Sequence, residues 1–243
     1  MDPFDAAILA AGRGERLRAH GPDLPKPLVM LDSETLLARQ ARILLQAGAR
    51  RVLAVVNSET AAIIRSDGVA LPARLSVVVR DTPNSMETLF EFGRHIDSGR
   101  FLAATVDAIV EPAEMTRLVR RADTLPGGEG ALGVVRWRGD ERPLFVEVDQ
   151  TGLIRKVGAS SGCVVTAGVY FLPQSIFGFR ARAREAGLSA LRQFLGAMVE
   201  WGVPLHAVDM GEAIDIDVAE DLTAARRLIA RASTSLSRRG GSR

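Results

Sequence analysis

The first chemistry in the chain is offered by one short stretch. LAAGRGERL at Leu9–Leu17 is followed by a proline-flanked lysine, Pro25-Lys26-Pro27. Glycines let backbone N–H groups approach an anion closely, and successive N–H groups make a concave cradle for it. Arg16 and Lys26 add positive charge, so the stretch suits gripping a triphosphate. Composition adds weight to Lys26. Of 31 Lys+Arg residues, only Lys26 and Lys156 are lysines. A compact ammonium serves where a planar guanidinium does not fit; chance survival of two lysines is the plain alternative. Gly12-Arg13-Gly14 departs from better-known glycine loops. A dinucleotide fingerprint wants glycine where Leu17 stands, and the Gly-Lys-Ser/Thr of a Walker loop is absent. Gly-x-Gly after a strand is weak evidence by itself; Arg16 two residues later, with Lys26 a short loop beyond, is more specific.

Carboxylates at two distant places add a second kind of chemistry. Asp107 follows the apolar run FLAAT with only Val106 between, and Asp215-Ile216-Asp217 precedes the last helix. Magnesium takes oxygen ligands, often one or two carboxylates together with phosphates and water. Asp107 stands at a strand's carboxyl end, where open α/β sheets bind ligands. Taken alone, it reads more commonly as a polar residue in a strand-to-helix loop, and the distant Asp217 raises the metal reading. Asp221 belongs to the first turn of the closing helix, where an acid favours the positive end.

The elements that must position these groups alternate over the first half. Ala6–Ala10, Arg51–Val56, Leu75–Val79 and Phe101–Thr105 read as strands. Ser33–Gly48, Glu59–Ser66, Met86–Ile96 and Pro112–Ala122 read as helices, with Ser33 as an N-cap. Such alternation predicts a parallel sheet covered by helices on both faces. The pattern then changes. Ala131–Arg136, Leu144–Val148 and Leu153–Val157 are short strands between polar turns and look antiparallel. Val164–Leu172 is a long apolar strand, Ser175–Ala186 and Leu188–Glu200 are helical, Pro204–Val208 is a strand, and Val218–Ala232 is the closing helix. The expected fold class is α/β: a three-layer Rossmann-like arrangement with a mainly parallel sheet, helices on both faces and an antiparallel insertion in the second half. Residues 1–232 are expected to form a single domain.

Composition bounds the function classes. A chain of 243 residues with 47% hydrophobic content can bury a sizeable core, and 5% aromatic content leaves aliphatic side chains to fill most of it. The net charge of +2 sits in the tail: Ser233–Arg243 carries Arg238, Arg239 and Arg243 and no acid, so the remainder is 2 − 3 = −1. That Ser/Gly/Arg tail, 233–243, reads as disordered and does not argue for a nucleic-acid-binding fold. The single cysteine, Cys163, excludes an internal disulfide, and the three histidines share no ligand spacing. No apolar run approaches the ~20 residues of a membrane helix, and no signal peptide opens the chain. The expectation is a cytoplasmic protein with no nucleic-acid and no membrane partner. A homodimer is left open.

The quoted motifs bring a family into view. LAAGRGERL…LPKPLVML resembles the signature of the nucleoside-triphosphate transferases that activate phosphorylated sugars and alcohols, among them the sugar-1-phosphate nucleotidyltransferases (pyrophosphorylases). The segments VEVDQTGLIRKVG…GCVVTAGVYF at Val146–Phe171 and DIDVAEDL at Asp215–Leu222 are similar to the same family, the former especially to relatives that activate inositol 1-phosphate with CTP. The resemblance implies a Mg²⁺-dependent nucleotidyltransferase acting on an NTP and a small phosphorylated acceptor. It gives Arg16 and Lys26 the triphosphate, and Leu9, Ala10, Ala11, Gly12 and Gly14 the nucleotide. Asn84 and Ser85 contact base or ribose on the same reading, with helix N-capping as the plainer role. Lys156 and Gly168 would meet the acceptor, although an edge-strand lysine is commonly only solvated. Asp107 and Asp217 would hold Mg²⁺, with Asp215 supporting or pointing outward. One departure stands out: relatives often carry glycine where Val106 precedes Asp107.

The reaction so implied is attack by an acceptor phosphate oxygen on the α-phosphorus with release of pyrophosphate. Positioning and charge stabilisation carry such a step without a covalent enzyme intermediate. A sugar 1-phosphate is the default acceptor, and a cytidylyltransferase for inositol phosphate, phosphocholine or a phosphonate is the alternative. Two rivals come from other classes: a glycosyltransferase using Asp215-Ile216-Asp217 as an Asp-x-Asp pair, and a silent nucleotide-binding module.

Overall fold

The computed structural model describes residues 2–139 and 143–240. The first half runs β1 (Asp5–Ala10), α1 (Glu15–His20), the hairpin β2 (Met30–Leu31) and β3 (Glu34–Thr35), α2 (Leu36–Gln46), β4 (Val52–Val56), α3 (Ser58–Ser66), β5 (Leu75–Val79), α4 (Ser85–Glu91), β6 (Arg100–Thr105), β7 (Ala108–Val110) and α5 (Pro112–Asp123). The second half runs β8 (Gly130–Arg136), β9 (Phe145–Val148), β10 (Ile154–Ala159), β11 (Val164–Pro173), α6 (Arg180–Glu185), α7 (Leu191–Glu200), β12 (Leu205–Asp209), β13 (Ala213–Asp215) and α8 (Ala219–Gly240).

The central sheet is built around β1, all six residues of which are buried. A strand buried on both faces needs no polar alternation, which is why DAAILA is almost wholly apolar. Its side chains still alternate in direction. Ala6, Ile8 and Ala10 enter the core beneath α2 and α5, whereas Ala7, Leu9 and Ala11 enter the core shared with α4 and α7. The one acid, Asp5, is fully buried, and the guanidinium forks of Arg50 and Arg51 reach it at 2.7 and 3.0 Å.

β5, β4, β1 and β6 lie side by side and run parallel. The chain moves outward from β1 through β4 to β5, then crosses back to place β6 on the other flank of β1. The carboxyl ends of β1 and β6 therefore form a topological switch point, the place where open α/β sheets leave a crevice. Beyond β6 the pairing turns antiparallel: β11 pairs β6 and β8, and β9 pairs β10 and the start of β11. The outermost pair, β8 with β12, is parallel again. The mainly parallel α/β sheet with an antiparallel insertion is thus the observed architecture.

Three local expectations change. Ser33 does not cap α2. Residues 30–35 fold back as a tight hairpin with Asp32 at φ 58°, and Thr35 accepts the Ala38 N–H at 3.2 Å instead. The stretch expected as one helix from Ser175 is a 3₁₀ turn, Gln174–Phe179, that leads into the short α6. The closing helix does not stop at Ala232 but continues through Gly240, into the segment read as a disordered tail; residues 241–243 lie outside the described residues. A further pair was not expected at all: β7 and β13 run antiparallel, with Asp215 opposite Ala108. Among the described residues no helix is long and apolar enough to cross a membrane.

Candidate active site

The crevice at the switch point is a cleft of about 1420 Å³. A single small-molecule site usually occupies roughly 300–1,000 Å³, so this one has room for two substrates. Leu9 and Ala11 at the end of β1, the loop residues Gly12, Gly14 and Arg16, and Lys26, Asn84, Ser85, Asp107 and Asp217 all line it. Residues from five separate stretches of the chain thus share one surface.

The charged groups make a continuous chain. Lys26 Nζ donates to Asp107 Oδ2 at 2.7 Å and to Asp217 Oδ1 at 3.1 Å. Arg16 Nη2 donates to the other oxygen of Asp217 at 2.8 Å. Lys26 sits in a 3₁₀ turn, Lys26–Leu28, whose start is fixed by Pro25 and Pro27, and the residue is only 9% exposed. Burial alone opposes its charge. Attraction and hydrogen bonds from Asp107, then from Asp217, outweigh that and hold its pKa above the ordinary lysine value. Lys26 is therefore a permanent cation at neutral pH.

Short elements aim these side chains. Leu9 lies opposite Thr105, and the Val106 N–H donates to Leu9 O at 3.2 Å, which carries Asp107 up beside the glycine loop. The β7–β13 pairing then brings the distant chain end onto Asp107, whose carbonyl accepts the Ile216 N–H at 3.1 Å. Asp221 Oδ2 accepts the N–H groups of Asp217 and Val218 at 2.8 and 2.9 Å, so the first turn of α8 holds Asp217 in place. Ile216 is fully buried between two acids, and of those two only Asp217 lines the cleft.

Gly14 is needed on two counts. Its φ is +64°, a left-handed conformation, and a Cβ added there would lie 2.8 Å from the Lys26 Cβ. Gly14→Ala is expected to destabilise the fold by at least ~1 kcal/mol through the backbone alone and to push Lys26 off its carboxylates. Gly12 is the control, because a Cβ there meets nothing within 4 Å. Thermal melts of the two variants check this, and equal melting temperatures would contradict it.

Some expected residues hold other positions. Ala10 points away from the cleft into the core, as the alternation of β1 requires. Asn84 and Ser85 line the cleft, but their oxygens are engaged within the fold. Asn84 Oδ1 caps α4 by accepting the Glu87 N–H at 2.9 Å, and Ser85 Oγ accepts the Leu191 N–H at 3.0 Å. Lys156 is exposed on β10 and outside the cleft lining. Gly168 is also outside it. At φ +71° it sits in the irregular part of the β8–β11 pairing, and a Cβ there would collide with Ala108 and Thr105. Its small size serves close packing against Thr105 and Ala108.

Other cleft residues went unread in the sequence. Asn57 accepts the Thr60 N–H at 2.8 Å and donates to Ala11 O at 3.3 Å, pinning the start of the glycine loop. Arg18 joins Asp23 and Glu59 at 2.9 Å each, linking α1 to α3. Asp81 accepts both the N–H and the hydroxyl of Ser58. Asn57 and Asp81 stand just past β4 and β5. The rule that directed attention to Asp107, that sites form at carboxyl strand ends, points to them equally.

The donor set at the cleft fits a hard divalent cation. Two carboxylates converge on one ammonium, and magnesium is commonly held by one or two carboxylates with phosphate and water completing the shell. Among the described residues no group of three or more His, Cys, Asp or Glu could hold a metal on its own, so a metal here would depend on ligands from the substrate.

Residues 6–198 match the model of the MobA-like NTP transferase domain. The chain belongs to the MobA-like NTP transferase family. A curated relative of this MobA-like chain, the bifunctional IPC transferase and DIPP synthase of Rubrobacter xylanophilus, is 38% identical over 157 residues. That alignment covers 63% of the chain and 33% of the relative, so the MobA-like chain spans about a third of that protein's length. The fold of the inositol-1-phosphate CTP transferase from T. maritima superposes with a TM-score of 0.77 at 21% identity, covering 95% of this chain and 96% of that one. HddC from Yersinia pseudotuberculosis superposes at 0.69 and 17% identity, with 92% and 98% covered. At these identities the two structures speak to the fold of this MobA-like transferase alone.

Proposed function

We propose that the chain transfers a nucleotidyl group from an NTP to a small phosphorylated acceptor and releases pyrophosphate. The observation that supports this most directly is the Lys26 ammonium set between Asp107 and Asp217, at 2.7 and 3.1 Å, with Arg16 on the far oxygen of Asp217. Two cations and two carboxylates meet at a glycine loop in a cleft large enough for both substrates. Two anions must be brought together there, and negative charge grows on the leaving pyrophosphate.

In this reading Leu9, Ala11, Gly12 and Gly14 form the floor under the nucleotide. Arg16 and Lys26 turn from the carboxylates to the triphosphate oxygens and orient the α-phosphorus toward the acceptor. An oxygen of the acceptor phosphate forms the new P–O bond as the α–β bridge breaks, and pyrophosphate leaves with the electron pair. Asp107 and Asp217 would hold Mg²⁺, which when bound neutralises phosphate charge. Lys156 would meet the acceptor from the β10 side as that substrate enters. Residues 1–232 would work as one unit, in the cytoplasm where NTPs are supplied.

For the acceptor, the likeness to the IPC transferase together with that to the inositol-1-phosphate CTP transferase favours an inositol phosphate with CTP over a sugar 1-phosphate. The test is a pyrophosphate-release screen of four NTPs against sugar phosphates, inositol 1-phosphate, phosphocholine and phosphonates. The expected result is metal-dependent release that needs both substrates and is greatest with CTP and inositol 1-phosphate. Release of nucleoside diphosphate instead would mean glycosyl transfer, and no release with any pair would leave only a binding module.

A further inference from the structure

One wall of the cleft is held from behind by a buried acid that never reaches the cleft itself. Glu87 lies in the first turn of α4, is 7% exposed, and is not among the residues lining the cleft. Burying a carboxylate is costly unless it is paired and hydrogen-bonded. Glu87 meets that condition through two arginines of α6. Arg184 makes a two-pronged contact, Nε to Oε1 at 2.7 Å and Nη2 to Oε2 at 2.9 Å. Arg180 Nη2 adds 2.7 Å to Glu87 and 3.0 Å to Glu91, one turn further along α4. Residues spaced i, i+4 on one helix therefore grip residues spaced i, i+4 on the other. The Arg184 contact above all, and then Arg180, hold the Glu87 carboxyl below the ordinary glutamate pKa even though burial works against them.

α4 has seven residues, too few to hold its own shape in water. Apolar packing of Met86, Leu89 and Phe90 would bury it, but apolar contact is non-directional. A two-pronged arginine–carboxylate contact adds directional specificity. What the direction governs is the cleft wall. The Glu87 N–H is the one capped by Asn84, the Thr88 hydroxyl donates to Asn84 O at 3.1 Å, and Thr88 and Thr82 share a hydrogen bond of 2.6 Å. Thr82, Pro83, Asn84, Ser85 and Thr88 all line the cleft. A twist of α4 about its axis would carry Ser85 and Thr88 directly, and Asn84 and Thr82 through their hydrogen bonds to the helix.

We propose that Glu87, clamped by Arg184 and Arg180, is a positioning residue for nucleotide selection: it sets the orientation of the Thr82–Thr88 wall and so decides which nucleotide the cleft accepts. The proposal rests on the cleft being the nucleotide site. Its effect falls on nucleotide affinity and on discrimination among nucleotides, not on the charged groups around Lys26.

The test compares Glu87→Gln and Arg184→Gln with the parent chain. Each NTP is titrated with Mg²⁺ by calorimetry, and kcat and KM are measured for the best NTP and its acceptor. Glu87→Gln is expected to weaken the preferred NTP about tenfold and to narrow its lead over the next NTP by a similar factor, on the scale a small misplacement produces. kcat and the acceptor KM stay within about twofold, since bonding to the acceptor is untouched. Arg184→Gln, which leaves Glu87 paired with Arg180, shifts both quantities in the same direction by less, and it serves alone where Glu87→Gln does not fold. Unchanged affinity and discrimination in a folded variant would overturn the proposal. So would an equal loss for every NTP accompanied by falls in kcat and in thermal stability, which is the mark of a structural role only. Calorimetry reads nucleotide selection without turnover, so a chain that binds NTP selectively yet releases no pyrophosphate would defeat the proposed reaction and leave this inference standing.

Discussion

Lys26→Ala is expected to lower kcat/KM for pyrophosphate release by about 10²–10³-fold, the scale of removing one preorganised charge from a reacting phosphate. The side chain touches both acids, at 2.7 and 3.1 Å. Its loss also leaves Asp107 and Asp217 facing each other with Arg16 alone to balance them, so affinity for the nucleotide falls together with turnover. Lys26→Arg tests the shape of the site. The left-handed Gly14 backbone closes over the Lys26 stem, and a planar fork does not fit where an ammonium bridges two carboxylates; that variant is expected to recover little. Steady-state kinetics with both substrates saturated in turn checks this, and unchanged kinetics in Lys26→Ala would remove the residue from the chemistry.

The same pairing fixes a pH dependence. The folded-state pKa of Lys26 lies above the ordinary lysine value of 10.5. Its contribution to stability is therefore fully present below that value and is lost as pH rises through the folded one.

Asp217→Asn is expected to abolish metal-dependent turnover far more severely than Asp215→Asn, by about 10²–10³-fold against a change of no more than a few-fold. The two acids are two residues apart, but β13 ends at Asp215, and Asp217 lies beyond it in the turn that Asp221 holds at the start of α8. Asp217 Oδ1 and Oδ2 meet Lys26 and Arg16, while Asp215 is exposed near Gly168 and outside the cleft. Losing one charge at Asp217 thus unbalances two cations at once. Turnover and Mg²⁺ titration of the two variants decide the matter; the reverse order would make Asp215 the ligand.

How much of this was legible before coordinates differs by kind of signal. The parallel sheet was legible because fully buried strands such as Ala6–Ala10 carry unbroken apolar runs between helices of clear period. Arg16, Lys26 and the glycines were legible because a loop that cradles an anion needs those residue types at close spacing. The way Asp107 and Asp217 meet was not. It depends on two three-residue strands, Ala108–Val110 and Ala213–Asp215, too short for any period to show. Capping was only half legible: Ser33 and Thr35 are both good caps, and a hairpin with Asp32 at positive φ decides for Thr35. The arginine clamp on Glu87 was hidden for a similar reason, since nothing in the spacing of Arg180 and Arg184 names a partner 93 to 97 positions away.

The contact between Arg16 and Asp217 joins positions 201 apart. A chain leaving the ribosome therefore carries its glycine loop long before the matching acid has been made. Until α8 docks, Lys26 has Asp107 as its acid and Arg16 lacks its contact with Asp217. The ring of charges closes only once α8 has been made and docked.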